Sequence, residues 1–411
     1  MVFSEQADRQ ASCVADEGTQ LLPSKRTGST FSQTFFNCLS MLIGIGLLSC
    51  PLAFALSGWT MATTLILGYA YISCRSAKVL GRIVLADPDM RCYSDVAKKA
   101  FGPRSSPVLS ALFCVELFTV SVLLVTLYAD SLHSIYPRLS PQAYKLGSLV
   151  FLLPTAFLSL PILSYCSISG LLSTVLIIWA ILFDGWSKTS APGSLWDPAP
   201  TSLEFRSWKS LGVAFGLFIA GFGCHPVIPS LARDMREPHR FEGMLDLSFA
   251  VATFIYGVVA TAGYLMFGNE VSGEISLDLL RTPGYNEMVN HLALWMLVVS
   301  PLTKYSLTTQ PLISSLEIFM GIDDDDAKQS KRAQRALQKI CVVGLSISVS
   351  ILVPGFTDVM AFLGCSSAFM LCIIGPLMAN MVLSGRYGLL DCGLVAVSMV
   401  MAVWGTIAIF V

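Results

Sequence analysis

Two short motifs in this chain have the composition to hold a ligand that carries both a negative and a positive charge. The first is Gly44-Ile45-Gly46-Leu47-Leu48-Ser49-Cys50-Pro51. The second, about 175 residues later, is Gly221-Phe222-Gly223-Cys224-His225-Pro226-Val227-Ile228-Pro229. Each sets a Gly-x-Gly and then a proline inside an otherwise apolar run. Both residue types cost helix stability, and proline also removes a backbone donor. In hydrocarbon, each freed backbone group costs several kcal/mol unless protein, water or ligand satisfies it. A broken helix offers N–H groups and a positive dipole end that suit an anion, and free carbonyls that suit a cation. Breaks at corresponding positions of two halves point to the binding site of a secondary transporter. Glycine and proline also occur in ordinary spans; the matched positions favour the binding-site reading.

The candidate ligand contacts are therefore Gly44, Ile45, Gly46 and Leu47 at the first break, and Gly221, Phe222 and Gly223 at the second. Glycine lets a ligand approach the backbone that a Cβ would cover. Ile45 and Phe222 face or flank a side-chain pocket, or else pack into the core or lipid. Asn37 and Ser40 precede Gly44 by seven and four positions and share a helical face with it. They orient the site or bond a neighbouring helix. His225, just past the second break, can bond unwound backbone, touch the ligand or titrate; the structural role is favoured.

Two further charges lie in mid-span. A charge at the position of Glu116 costs roughly 2.5–3.5 kcal/mol. A carboxyl that is neutral when shielded and charged when water reaches it is what proton coupling requires; the alternative is a carboxyl that holds helices together. Lys304 lies too deep for easy snorkelling. A cation fixed there is either a structural ion pair or a replacement for a bound metal cation. Thr303 and Ser306 flank it with hydroxyls.

These residues need membrane helices to position them. The chain has 411 residues, 54% hydrophobic and 13% charged, with a mean hydropathy of +0.67. A soluble domain carries roughly 25% charge. At about 20 residues per crossing, eleven spans are predicted. They lie near 35–57, 60–85, 107–133, 146–164, 167–186, 211–231, 245–267, 290–320, 340–355, 357–383 and 389–411, the ninth extending backward through 331–339. Residues 1–34 are polar and read as a disordered cytosolic tail without a signal peptide. With the N-terminus cytosolic, 19 Lys and Arg fall on the cytosolic side and 6 on the other. That bias sets the N-terminus inside and the C-terminus luminal. None of the 12 cysteines falls in a predicted luminal loop, so no disulfide framework is expected.

Spans one to five (35–186) and six to ten (211–383) carry matching breaks in their first members. Five is odd, so the halves run in opposite directions. The expected fold is all-α, polytopic and leucine-transporter-like, a 5+5 inverted repeat plus an eleventh helix at 389–411.

The motifs resemble one family. Gln33-Thr34-Phe35-Phe36-Asn37 leading to Gly44-Ile45-Gly46-Leu47-Leu48 resembles the first span of the amino acid/auxin permease family, in the branch of fungal vacuolar amino acid transporters and vesicular inhibitory amino acid transporters. Gly223-Cys224-His225-Pro226-Val227-Ile228-Pro229 with Arg233-Asp234-Met235 and Pro238 resembles its sixth span and following loop. Glu116-Leu117-Phe118 with Asp130-Ser131-Leu132, and Pro301-Leu302-Thr303-Lys304-Tyr305 with Pro311-Leu312, resemble the third and eighth. The resemblance covers residues 33–411. It implies a secondary active transporter of neutral amino acids in a vacuolar or lysosomal membrane. Transport would be proton-coupled by alternating access, with antiport expected. It also implies that Lys304 stands where sodium sits in sodium-coupled relatives.

Amino acid, protons and lipid bilayer are the implied partners, with no nucleic acid, cofactor or metal. Glu17-Gly18-Thr19-Gln20-Leu21-Leu22 matches an acidic dileucine pattern that a sorting adaptor would read. No nucleotide-binding, zinc or nucleophile motif supports an enzyme. The competing readings are a transceptor that senses amino acids and a plasma-membrane permease.

Overall fold

The computed structural model describes residues 28–90, 92–157, 160–319, 329–353 and 355–411. Apart from one isolated β-bridge, its regular elements among these residues are all helices, joined by loops of which 188–207 is the longest. The tail sequence Glu17, Leu21 and Leu22 lies outside them. Helix α1 (Phe31–Leu42) begins with a reciprocal cap. The Thr30 hydroxyl accepts from the Gln33 amide, and Gln33 Oε1 accepts from the Thr30 amide at 2.9 Å. The helix stops at the first glycine. A 3₁₀ turn (Ile45–Ser49) follows, and α2 (Cys50–Ala86) restarts with Pro51 in its first turn. The expected junction between the first two spans is no loop but a kink inside α2 at Gly58, with φ 67°. A side chain there would collide with the Glu204 carbonyl. The freed amides of Trp59 and Thr60 donate to the carbonyls of Ser202 and Leu203 at 3.1 and 3.2 Å.

The chain continues as α3 (Tyr93–Phe101), α4 (Ser105–Ile135), α5 (Pro141–Gly147), α6 (Leu149–Thr155) and α7 (Leu160–Ser187). The expected fourth span at 146–164 thus appears as short helices. Helix α8 (Trp208–Gly221) ends at the second break. A 3₁₀ turn (His225–Val227) leads into α9 (Ile228–Asp234), and then come α10 (Phe241–Phe267), α11 (Ile275–Arg281) and α12 (Glu287–Phe319). Helix α13 (Gln329–Leu352) does extend backward through 331–339. Helices α14 (Phe356–Leu363) and α15 (Gly375–Ser384) are joined by a π-helical stretch at Gly364–Ile374, and α16 (Leu389–Phe410) ends the chain. Among the described residues, seven helical stretches are long and apolar enough to cross a membrane. The protein is thus all-helical and multi-pass; the eleven separate crossings expected are not confirmed by this count, and the first two run together as one helix kinked at Gly58.

The helices fall into two compact units. One comprises Phe113–Asp184 with Ser276–Val359. Inside it, Lys145 donates to the Ser350 carbonyl at 2.7 Å and Gln338 to the Ile313 carbonyl at 3.0 Å. The other holds the described residues from Gly28 to Leu112, with Gly185–Ile275 and Met360–Val411. On its α2, Arg75, Lys78 and Arg82 share one helical face. They pair with Asp391 (2.5 Å), Asp246 (2.5 Å) and Glu242 (2.7 Å). Arg233 closes the far end of α2 by donating to the carbonyls of Val84 (2.5 Å) and Met90 (3.0 Å). Nearby, the Lys99 ammonium holds the Asp87 carboxyl below the usual carboxylate range. The residues before α1 lie alongside the loop after α9. The Ser29 amide donates to the Asp234 carbonyl at 2.7 Å, the Arg236 amide donates to the Ser29 carbonyl at 3.0 Å, and Arg240 covers the Phe31 ring at 4.7 Å.

Glycines on α8 let this unit close. A Cβ on Gly212 would sit 2.6 Å from that of Ala408, and one on Gly364 would collide with the Gly216 carbonyl. Small residues that let backbones touch are how helices associate without a hydrophobic drive. Gly364→Ala should therefore lower the thermal unfolding midpoint of the purified protein, at a cost of about 1–3 kcal/mol typical of overpacking. The substitution Gly243→Ala, at a position with nothing within 4 Å, should leave it unchanged.

Candidate functional site

The two breaks meet inside the second unit. A Cβ built on Gly46 would lie 2.9 Å from Gly221 Cα, 3.3 Å from Gly221 N and 3.2 Å from Met360 Cε. Backbone touches backbone there, and only glycine permits it. Gly221 in turn has the Tyr256 ring against it, with two ring atoms 3.3 Å and the hydroxyl oxygen 3.4 Å from the position of a Cβ. The other two glycines are freer. A Cβ on Gly44 would find only the Met41 carbonyl at 3.9 Å, and one on Gly223 only the Ala220 carbonyl at 3.4 Å.

A tyrosine ties the breaks together. The Tyr256 hydroxyl, on α10, lies within hydrogen-bond reach of two carbonyls, Gly221 O at 2.8 Å and Leu42 O. Those residues end α8 and α1, where a helix leaves its last carbonyls without intrahelical partners; the Leu42 carbonyl also accepts from the Gly44 amide at 3.0 Å. Phe222 is buried and packs edge-on to Tyr256 (5.5 Å, 88°) and stacked on Phe249 (6.3 Å, 12°). Leu47 is buried, whereas Ile45 is half-buried.

His225 is fully buried and fastens the second break to α2 and the π-helical stretch. Its Nε2 lies 3.1 Å from the Ser73 carbonyl and 2.9 Å from Ser76 Oγ, and Ser76 Oγ donates to the Cys372 carbonyl at 2.5 Å. A carbonyl only accepts, so the network assigns the ring proton to Nε2. The lone pair on Nδ1 is then buried without a partner among the described residues. The Ser40 hydroxyl turns back onto its own helix and donates to the Asn37 carbonyl at 2.9 Å.

Glu116, Thr303, Lys304 and Ser306 belong to the first unit, while Asn37, Ser40, His225 and both breaks belong to the second. Glu116 Oε2 is buried with no hydrogen-bond partner among the described residues. The Lys304 stem crosses α7 at Gly170, in the space a side chain there would fill. Thr303 Oγ1 donates to the Ser300 carbonyl at 2.9 Å. Tyr305 and Ser306 are buried and their hydroxyls lack partners among the described residues.

Tyr256, Ser76 and Gly216 escape sequence reasoning. The available signal was a tyrosine in the middle of an apolar span, whose hydroxyl has to find an acceptor once buried.

The contrast between the glycines makes a prediction. Gly46→Val should push the breaks apart and abolish ligand binding, while the protein remains monodisperse in detergent. Gly223→Ala should bind within about threefold of wild type, since ordinary van der Waals distances are nearly kept. Binding of labelled amino acids to the purified variants tests both, and a Gly46→Val protein with normal affinity would refute the assignment.

With this geometry in hand, comparison with known proteins becomes informative. Residues 27–411 match the family described as transmembrane amino acid transporter protein. Amino acid transporter AVT1I of Arabidopsis thaliana is 27% identical over 414 residues, covering 95% of this chain and 97% of the relative. Amino acid transporter AVT1D of the same plant is 29% identical over 382 residues, covering 89% of this chain and 66% of its own length. The human solute carrier family 38 member 8 is 26% identical over 315 residues, with 71% and 70% covered. Among solved structures, a Na⁺-coupled sialic acid symporter aligns with a TM-score of 0.54 at 15% identity, covering 99% of this chain and 95% of the symporter. A nucleobase-cation-symport-1 family transporter aligns with a TM-score of 0.51 at 15% identity, covering 94% and 92%. At such identities these two show a shared fold of secondary transporters and nothing of substrate. By the match across nearly its whole length, the chain belongs to the transmembrane amino acid transporter protein family, the amino acid/auxin permeases that its motifs resemble.

Proposed function

We propose that the protein is a secondary active transporter that moves neutral amino acids across a vacuolar or lysosomal membrane in exchange for protons. The observation that carries this reading is the meeting of the two breaks, Gly46 against Gly221, with the end carbonyls of two half-helices gathered at one tyrosine. An amino acid needs donors for its carboxylate and acceptors for its ammonium. Two broken helices side by side supply both from backbone. Gly44, Ile45, Gly46 and Leu47 with Gly221, Phe222 and Gly223 would form the binding surface. Asn37, Ser40 and His225 would shape it, with His225 acting through the fold.

Proton coupling is assigned to Glu116, whose buried Oε2, without a hydrogen-bond partner among the described residues, can gain and lose a proton as water access changes. Lys304, with Thr303 and Ser306 beside it, would supply a fixed cation in place of a metal ion. Coupling requires that proton and substrate share one alternating site, so that neither crosses alone. With the N-terminus cytosolic, the lumen would load Glu116 and the cytosol would unload it.

Transport into proteoliposomes tests the whole reading. Acid-inside vesicles should fill with a neutral amino acid from a labelled panel, and a protonophore should abolish filling. Faster efflux of preloaded substrate from acid-inside vesicles would instead mean symport. Binding without flux would mean a transceptor. Glu116→Gln should remove at least about tenfold of the pH-driven uptake, a loss of roughly 1.4 kcal/mol of coupling, while leaving equilibrium binding at neutral pH within about twofold. Uptake with an unaltered pH profile would return Glu116 to a structural role.

Sorting has its own test. Imaging of the Leu21→Ala, Leu22→Ala double variant should show protein at the cell surface. A double variant that still reaches the vacuole or lysosome would dismiss the dileucine signal.

A further inference from the structure

We propose that a cavity between α12 and α13 seats a phospholipid headgroup that carries both a phosphate and a primary ammonium, as phosphatidylethanolamine does. The proposal needs only a multi-pass chain and stands apart from the transport reading above. The cavity lies wholly within the first unit and measures about 350 Å³, in the range of ligand sites. Gln310, Ser314 and Glu317 line it from α12, at spacings that put them on one helical face. Arg335 and Lys339 line it from α13, one turn apart. Phe157, just past α6, lines it as well, with the Lys339 ammonium 5.2 Å from its ring centre.

Charge of both signs therefore faces one space. A simple anion would meet the two cations but also the Glu317 carboxylate. A simple cation would meet the carboxylate but be repelled by Arg335 and Lys339. A ligand with a phosphate and an ammonium a few bonds apart answers all three. Its phosphate accepts from the guanidinium, the Lys339 ammonium, the Gln310 amide and the Ser314 hydroxyl, and its ammonium donates to Glu317.

Depth identifies the source as lipid. The lining residues of α12 fall in its last three turns. Those of α13 fall in the first two turns of a membrane-crossing stretch that begins at Ala333. These are the two helix ends that the chain between Phe319 and Gln329 joins. Lys328, Lys331, Arg332, Arg335 and Lys339 crowd the same end, and a basic cluster at the end of a membrane helix is where charged headgroups gather. Leu337 and Ile340, on either side of Lys339, are exposed, as is Phe157. Acyl chains leaving the cavity would run along these side chains, so the lipid would bridge α12, α13 and the end of α6.

Native mass spectrometry of the purified full chain, loaded with defined lipids in detergent, tests the proposal. Phosphatidylcholine keeps the nitrogen's charge but has no N–H to donate. Wild type should retain phosphatidylethanolamine over it by at least about fivefold, the size of one net hydrogen bond. Phosphatidylglycerol, which keeps the phosphate and lacks the nitrogen, should lose by a similar factor. Glu317→Gln should bring phosphatidylethanolamine down to the level of phosphatidylglycerol and leave the latter within about twofold. Arg335→Gln with Lys339→Gln should lower retention of both lipids by at least about tenfold. Soluble O-phosphoethanolamine should displace the lipid only in more than about 100-fold excess, because it lacks the acyl chains whose burial adds affinity. Equal retention of phosphatidylethanolamine and phosphatidylcholine by wild type would overturn the proposal without reliance on a variant. An unchanged preference in Glu317→Gln would overturn it too. Displacement by soluble O-phosphoethanolamine at equal concentration would place the ligand in solution and refute a lipid seat.

Discussion

Unwound backbone inside an apolar slab has few ways to exist. Its polar groups must be met by protein, water or ligand, because hydrocarbon offers nothing. In this protein the two unwound stretches come together, Gly46 on Gly221, with no side chain between them. That contact fixes the separation of α1, α8 and the restarted helices beyond each break. It also gathers carbonyl ends that would otherwise lie far apart, and it leaves Tyr256 a place to bond them. The rest of the second unit follows from this approach. His225 anchors the restart of the second broken span to α2, and Ser76 passes that anchor on to the π-helical stretch.

The same economy of side chains runs along α8. Gly212, Gly216 and Gly221 succeed one another at roughly one-turn intervals, and each admits a different neighbour: Ala408, Ala361 and Tyr256. A helix with this face trades dispersion from its own side chains for contact between main chains. The arrangement suits a helix that must be interrupted. Its packing comes from the backbone, so the loss of a turn at Gly221 costs few side-chain contacts.

Much of this was legible in the sequence and some was not. Composition and apolar run length reveal a polytopic membrane protein, and the two Gly-x-Gly motifs mark where α1 and α8 end. The backward extension of α13 through 331–339 was readable from its helix-forming residues. The contact of Gly46 with Gly221 was not, because nothing local encodes a partner about 175 residues away. The loopless junction at Gly58 was hidden as well. Its freed amides are met by the carbonyls of Ser202 and Leu203, a tertiary fact that hydropathy does not carry. The π-helical stretch at 364–374 departs from the 3.6 period on which span reading depends. Tyr256 reads as one more aromatic in an apolar run until its two carbonyls are seen.

The short parallel bridge at Ser29 has a mechanical consequence. Its two backbone hydrogen bonds join the chain just ahead of α1 to the loop that follows α9, and Arg240 on Phe31 adds a third hold one residue into the helix. A tilt that lifts α1 away from that loop loads these holds one after another, like a zip opened from one end. A displacement of α1 along its axis loads the two bonds together, in shear. Sequential rupture needs far less force than simultaneous rupture, so this stitch offers little resistance to tilting and much to sliding. The first half-helix is in effect hinged at its N-terminal end, with its freedom confined to a single kind of movement.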